Sequence, residues 1–266
     1  MSIAFGARIA AFVAALTLIG SAVPARADDR AADLKMGRSV FKDLVAKHQI
    51  VSNSPYNGVL QSVGRRVSDA AQPHWFVEKF YVVRGNQMNA FSAPGGYVFV
   101  NEGLLRQADN VPELANVLAH ETAHLVLGHV NAQVKAQNRK AAILNVGKGL
   151  SKMFGSGSRT ATRSLDAATL ASNYGFLNFS RQQEFAADKL GIRLAAKAGY
   201  DPWGSVWFLQ ESSRLYGDAG YESYVQHHPT IHERIKQIES YFKADPRTYR
   251  RWSSRMPAAT GLPSSD

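Results

Sequence analysis

The spacing of apolar residues lays out a chain that is mostly helical, with one short β-rich interval. Across 31–49, Leu34, Val40, Phe41, Leu44 and Val45 recur at helical intervals. Asn53, Pro55 and Gly58 break the pattern. It resumes over 59–71, with Leu60, Val63 and Val67 on one face. The period then changes. Residues 76–83, FVEKFYVV, are rich in aromatic and β-branched types and predict a strand. Arg84-Gly85-Asn86 predicts a turn. Asn89-Ala90-Phe91 leads through Pro94-Gly95-Gly96 to a second strand over 97–100, and a short helix follows Asn101. Longer helices are predicted from 111 to an end at Gly128 and over 180–198, the second with Ser180 as N-cap. After a turn at 199–202, helices over 203–216 and 230–242 complete the pattern, the last burying Ile231, Ile235, Ile238 and Tyr241. The fold class is α+β, mainly helical.

The stretch 111–129, VPELANVLAHETAHLVLGH, carries the most specific chemistry. Asn110 is placed as N-cap, with Glu113 three residues on in the manner of a capping box. Pro112 falls in the first turn, where its missing N–H costs little. Leu114, Val117, Leu118, Leu125 and Val126 put apolar surface on most sides, which predicts a buried helix, and Gly128 predicts its end. Inside it, His120-Glu121-Thr122-Ala123-His124 spells H-E-x-x-H. Residues four apart share a helix face, so His120 and His124 direct two imidazoles at one point, as a tetrahedral zinc ion requires. Glu121 is turned about 100° from His120. It can reach a water at that ion and act as general base. Burying such polar groups without partners is costly, which favours a metal over a chance occurrence of the motif.

The helix 180–198 holds Glu184 and Asp188 at i, i+4, where like charges repel and a cation brings relief. Taken alone, this helix reads equally as one with two solvated carboxylates. With H-E-x-x-H sixty residues upstream, Glu184 is the natural third zinc ligand. Asp188 is then placed to accept a hydrogen bond from the outer ring N–H of a ligand histidine. The strand 97–100 is either an ordinary core strand or a sheet edge. As an edge, Gly96, Tyr97, Val98 and Phe99 would hold a substrate backbone by strand addition. His228 and Arg234 flank the start of the helix 230–242. Spacing alone makes His228 a capping or packing residue; the alternative is that both face the metal and steady an oxyanion.

Composition narrows the setting. An apolar fraction of 45% in 266 residues can bury a core. Residues 1–27 read as a signal peptide, with Arg8, an apolar run over 9–19 interrupted only by Thr17, and Ala25-Arg26-Ala27 as cleavage site. The run is shorter than the roughly 20 residues that span a bilayer. An uncleaved anchor is the other reading. Cleavage removes Arg8 and Arg26 and no acid, lowering the formal net charge from +10 to +8. So basic a chain is drawn to an anionic membrane surface or acidic envelope proteins, and an exported chain is not expected to meet nucleic acid. There is no cysteine, so metal ligands must be histidine and carboxylate. The segment 141–164, Gly/Ser-rich in its second half, reads as a lid, a membrane-touching segment or a solvated connection. The tail 243–266, with Arg247, Arg250, Arg251 and Arg255, reads as basic and flexible.

Several pieces fall in an order that resembles a known family. They are Asn89-Ala-Phe, Pro94-Gly-Gly-Tyr-Val-Phe-Val, His120-Glu-Thr-Ala-His124, His129, Glu184-x-x-Ala-Asp188 and His228-Pro-x-x-x-x-Arg234. Together they resemble the HtpX/BepA/CaaX-prenyl-endopeptidase type of zinc metalloprotease, a branch of the gluzincins. Leu127 and Val130 stand where the metzincin pattern needs Gly and His. The resemblance implies a zincin-like core with a small β-sheet beside the H-E-x-x-H helix. It also implies one Zn²⁺ per chain on His120, His124 and Glu184, with Glu121 as base and His228 and Arg234 near the tetrahedral intermediate. Membrane-embedded members carry long apolar segments that this sequence lacks beyond residue 27, and periplasmic members carry a tetratricopeptide domain for which it ends too soon. The expectation is a signal peptide over 1–27, a protease domain over 28–242 and a tail over 243–266. Such a chain would be exported to the periplasm, as a zinc endopeptidase of the bacterial cell envelope acting on misfolded or misassembled proteins. A chaperone-like module that holds envelope proteins with little proteolysis is the alternative, with a hydrolase of non-peptide amides behind it.

Overall fold

The computed structural model describes residues 27–137, 139, 179–216 and 231–263. The expected signal peptide up to residue 26, the segment 141–164 and His228 lie outside the described residues. Helix α1 (Ala27–Ala46) and helix α2 (Asn57–Ala71) precede the sheet. The predicted face of α2 is the buried one, with Leu60, Val63, Gly64, Val67 and Ala70 inside.

Strands β1 (Lys79–Val83), β2 (Ala90–Ala93) and β3 (Tyr97–Asn101) form one sheet in the order β1-β3-β2. β3 pairs parallel with β1 and antiparallel with β2, and all five of its residues are buried. Alternation along the strands separates two faces. Tyr81, Phe91, Tyr97 and Phe99 stack on one of them, and Phe41 of α1 closes on that face 4.6 Å from the Tyr81 ring. Ser92, registered opposite Val98, belongs to the other face. β2 is an addition to the expected pattern. Ala-Phe-Ser-Ala has one residue of high β-propensity and no periodicity to read, so its pairing with β3 is what makes it a strand.

Helix α3 (Glu102–Gln107) leads into α4 (Val111–Val126). Every residue of α4 from Glu113 to Leu125 is buried. The helix is wrapped by α2, by the sheet, and by helices α5 (Arg181–Lys197) and α6 (Gly204–Tyr216). The predicted start of α5 is a full capping box. Ser180 Oγ accepts from the Gln183 N–H at 3.3 Å, and Gln183 Oε1 accepts from the Ser180 N–H at 2.9 Å. Gly191 lets α5 lie against α4: a Cβ there would stand 3.2 Å from both the nitrogen and the Cα of His120. Helix α7 (Ile231–Ala244) packs on α5 and α6.

The tail departs from the flexible segment expected over 243–266. Helix α8 (Pro246–Tyr249) begins on an Asp245 cap and buries Tyr249. The Trp207 indole donates to the Ser254 carbonyl at 3.2 Å, and the N–H groups of Thr260 and Gly261 reach the Asp109 carbonyl at 2.9 and 3.0 Å. Leu262 is buried as well. Isolated anchors of this kind leave no periodic trace in a sequence dominated by arginine. Among the described residues no helix is long and apolar enough to cross a membrane.

Gly191→Leu should lower stability by about 1–3 kcal/mol through overpacking between α4 and α5. Gly58→Ala, where a Cβ meets nothing within 4 Å, should stay within about 0.5 kcal/mol of the native chain. Urea unfolding of the two variants is the check, and equal stability for both would remove the close-approach argument.

Candidate metal centre

The chemistry-bearing helix is fixed at both ends. The Glu113 N–H donates to Asn110 Oδ1 at 3.0 Å, as expected. In return, the Glu113 carboxylate accepts from the Asp109 N–H at 3.1 Å and from the Asn110 side-chain amide Nδ2 at 2.9 Å. At the other end, Leu127 is the C-cap and Gly128 takes φ +72°, a left-handed conformation that favours glycine.

Between these ends, His120 and His124 face Glu184 of α5. The two Nε2 atoms are 2.9 Å apart, and each lies 3.5 Å from a Glu184 carboxylate oxygen. One ligand atom from each residue falls within 4.8 Å of the others, and all three residues are buried. A tetrahedral ion with ligands at about 2.1 Å holds its donors about 3.4 Å apart. The three separations bracket that length, so this donor set fits a metal ion with shifts of a few tenths of an ångström.

Behind the donors is a charged layer. Asp188, one turn beyond Glu184 on α5, sits 2.9 Å from His120 Nδ1. Arg234 of α7 grips Asp188 bidentately, Nε to Oδ2 at 2.8 Å and Nη2 to Oδ1 at 2.7 Å, and its Nη1 is 3.3 Å from Glu184 Oε2. Burial alone would push the Asp188 carboxyl up, but Arg234 and His120 outweigh it and hold it below the ordinary carboxylate range. Burial and Arg234 push His120 down, yet the Asp188 and Glu184 carboxylates prevail and raise it to about 9. Arg234 is thus placed behind the ligands, with its guanidinium engaged by two carboxylates. The expected position facing an oxyanion is not the one observed.

The opposite side of the site belongs to the sheet. Ser92 of β2 donates through Oγ to Glu121 Oε2 at 2.9 Å. His129 Nδ1 lies 3.1 Å from His124 Nδ1, and the Phe179 ring stacks on His124 at 3.9 Å. Burial lowers the pKa of His129 to about 4, the His120 charge adding to the effect and Glu184 opposing it. None of these three residues was singled out for a role by spacing. Ser92 needed the sheet register, and His129 needed the turn at Gly128.

The candidate substrate residues Gly96, Tyr97, Val98 and Phe99 are not at an open edge. β3 is the central strand, so its backbone groups are taken on both sides. Tyr97 and Phe99 lie in the aromatic layer, and Gly96 is a tight turn whose Cβ would meet the Val77 carbonyl at 2.6 Å. The strand bonded to Glu121 is β2.

Residues 56–242 match the family model described as Peptidase family M48. The chain is 28% identical over 232 residues to the beta-barrel assembly-enhancing protease of Escherichia coli, covering 81% of this chain and 47% of that protein. It is 30% identical over 180 residues to the protein of the same name in Yersinia pestis, covering 67% and 37%. It is also 29% identical over 219 residues to the mitochondrial metalloendopeptidase OMA1 of Schizosaccharomyces pombe, covering 78% and 60%. The chain therefore spans about half the length of these relatives.

Two outcomes follow from the charges. A metal ion must displace the proton that His120 holds below about pH 9, so apparent metal affinity should rise about tenfold per pH unit from pH 6.5 to 8.5 and level off above 9. Chelator competition across that range measures it, and a flat profile would mean that His120 is neutral before the ion arrives. Arg234→Leu leaves Asp188 and Glu184 without their buried counter-charge and should cost about 3–5 kcal/mol in urea unfolding of the metal-free chain. A loss below 1 kcal/mol would show that the guanidinium contributes little there.

Proposed function

We propose, since the chain belongs to peptidase family M48 and is a metalloprotease, that it is a zinc-dependent endopeptidase of the bacterial cell envelope that cleaves misfolded or misassembled proteins. The observation that carries this reading is the triangle of His120, His124 and Glu184 donors with the Glu121 carboxyl on the same turn of α4. Two imidazoles and one carboxylate, with no thiolate, suit zinc. When bound, zinc acts as a Lewis acid and brings the pKa of water down to roughly 7.

The chain's own residues do the rest. Glu121 takes the proton of the attacking water and passes it to the leaving amine. The Ser92 hydroxyl pins one oxygen of that carboxylate and so sets its direction. Asp188 orients His120, and Arg234 holds Asp188 and Glu184 in place. The oxyanion role falls to His228, just ahead of α7. An extended substrate lies along β2, the edge strand bonded to the base, where backbone hydrogen bonds bind many sequences alike. Misfolded proteins, which expose extended backbone, are the matching substrate class.

The envelope assignment rests on the apolar run near residue 9–19 and on two bacterial relatives whose names concern β-barrel assembly. The formal net charge, +10 for the full chain and +8 after removal of residues 1–27 with Arg8 and Arg26, supports contact with anionic surface.

The test is metal content and casein cleavage for the native chain and Glu121→Gln, side by side. One zinc per chain is expected in both, with cleavage reduced by at least about 10²-fold in the variant. Undiminished cleavage by Glu121→Gln would remove Glu121 as base. Protection of unfolded protein without cleavage by either chain would favour the holding module instead. Recovery of the chain from the cytoplasm of expressing cells would overturn the envelope assignment.

A further inference from the structure

We propose that His129 is the positioning residue for the ligand His124, accepting at its Nδ1 the hydrogen that His124 carries on Nδ1. The inference rests on the reading of His124 as a metal ligand.

The geometry has a specific cause in the chain. In an unbroken helix, a residue five positions on is rotated about 140° and cannot touch the first. Here α4 stops at Val126, Gly128 turns left-handed at φ +72°, and a helical segment 129–137 starts at His129 itself. A Cβ on Gly128 would meet nothing within 4 Å, so the glycine answers to its dihedral angle and not to crowding. The turn swings His129 back onto the His124 ring. The two rings stand edge to face at 5.1 Å and 68°, with their Nδ1 atoms 3.1 Å apart. Phe179 stacks on the face of the His124 ring at 3.9 Å and 28°.

Tautomer bookkeeping then fixes the roles. His124 Nε2 points at His120 and Glu184, so this nitrogen must be bare to bind a metal. Its hydrogen sits on Nδ1, which donates. His129 Nδ1 must accept, and the hydrogen of His129 sits on Nε2. His120 is held in the same way, but by the Asp188 carboxylate at 2.9 Å. The two ligand imidazoles are thus oriented by different partners, one anionic and one neutral. The neutral partner adds direction without a further buried negative charge, beside a Glu184 that is already fully buried.

The experiment uses the full chain and zinc in competition with a chromophoric chelator. His129→Leu removes the acceptor and should weaken zinc binding 10–100-fold. His129→Asn places its Oδ1 close to where Nδ1 sat and should stay within about threefold of the native chain. The visible bands of the Co²⁺-loaded protein should shift in His129→Leu and not in His129→Asn. Equal affinity for all three chains, or an equal loss in both variants, would overturn the proposal. A second measurement needs no variant. ¹⁵N-histidine spectra of the zinc-loaded native chain should show His129 protonated on Nε2 with a bare Nδ1, and a hydrogen on Nδ1 overturns it. His124→Ala separates this inference from its premise. Its zinc binding should be abolished, and undiminished binding would sink the ligand assignment and the role of His129 with it.

Discussion

Burying charge is what the rest of this structure must answer for. Glu121, Glu184 and Asp188 bring three carboxyl groups into the interior, at 1%, 0% and 2% exposure, against the single guanidinium of Arg234 at 2%. With all three ionised the sum is two negative charges, and isolated ions in such surroundings cost several kcal/mol each. A divalent cation on His120, His124 and Glu184 brings that sum to zero. Without one, a proton on His120 makes up part of the difference, which is why an imidazole surrounded by burial and a neighbouring Arg still ends near 9. Metal affinity and folded-state electrostatics are one quantity seen from two sides.

That balance constrains the packing around it. Two i, i+4 pairs, His120/His124 on α4 and Glu184/Asp188 on α5, have to meet face to face, which demands that the helix backbones come close. Gly191 is where they do, against the backbone of His120 itself. Arg234 then reaches in from α7 and ties Asp188 to Glu184. The guanidinium joins α7 to α5, and Asp188 joins α5 to His120 of α4, so the candidate metal donors are positioned by rigid elements and not by loops.

Helical period made much of this legible in advance. His120, His124, Glu184 and Asp188 were visible because a spacing of four has one geometric meaning on a helix. Residues whose placement depends on something other than that period were not. Ser92 meets Glu121 because of the antiparallel register of β2 against β3, and Ala-Phe-Ser-Ala does not announce a strand. His129 meets His124 because a left-handed glycine interrupts the helix, so counting residues along a continuous helix points it the wrong way. Spacing puts Arg234 near the site without telling which side of it the guanidinium occupies; in the fold it meets Asp188 and Glu184. The docked tail escaped for a related reason, since Tyr249 and Leu262 are single anchors in a basic stretch.

The two sides of the site therefore differ in what they can do. On the helical side, His120 and Glu184 are held by Asp188 and Arg234, which grip each other, and motion there would break charge-assisted hydrogen bonds. On the sheet side, the Glu121 carboxyl meets the four-residue strand β2 through the Ser92 hydroxyl. On the proposed reading, a substrate that adds to β2 would pull on the backbone that carries Ser92, and Ser92 is bonded to the carboxylate proposed as base. In that reading, binding of an extended chain and aiming of the base would be coupled through the 2.9 Å contact between Ser92 and Glu121.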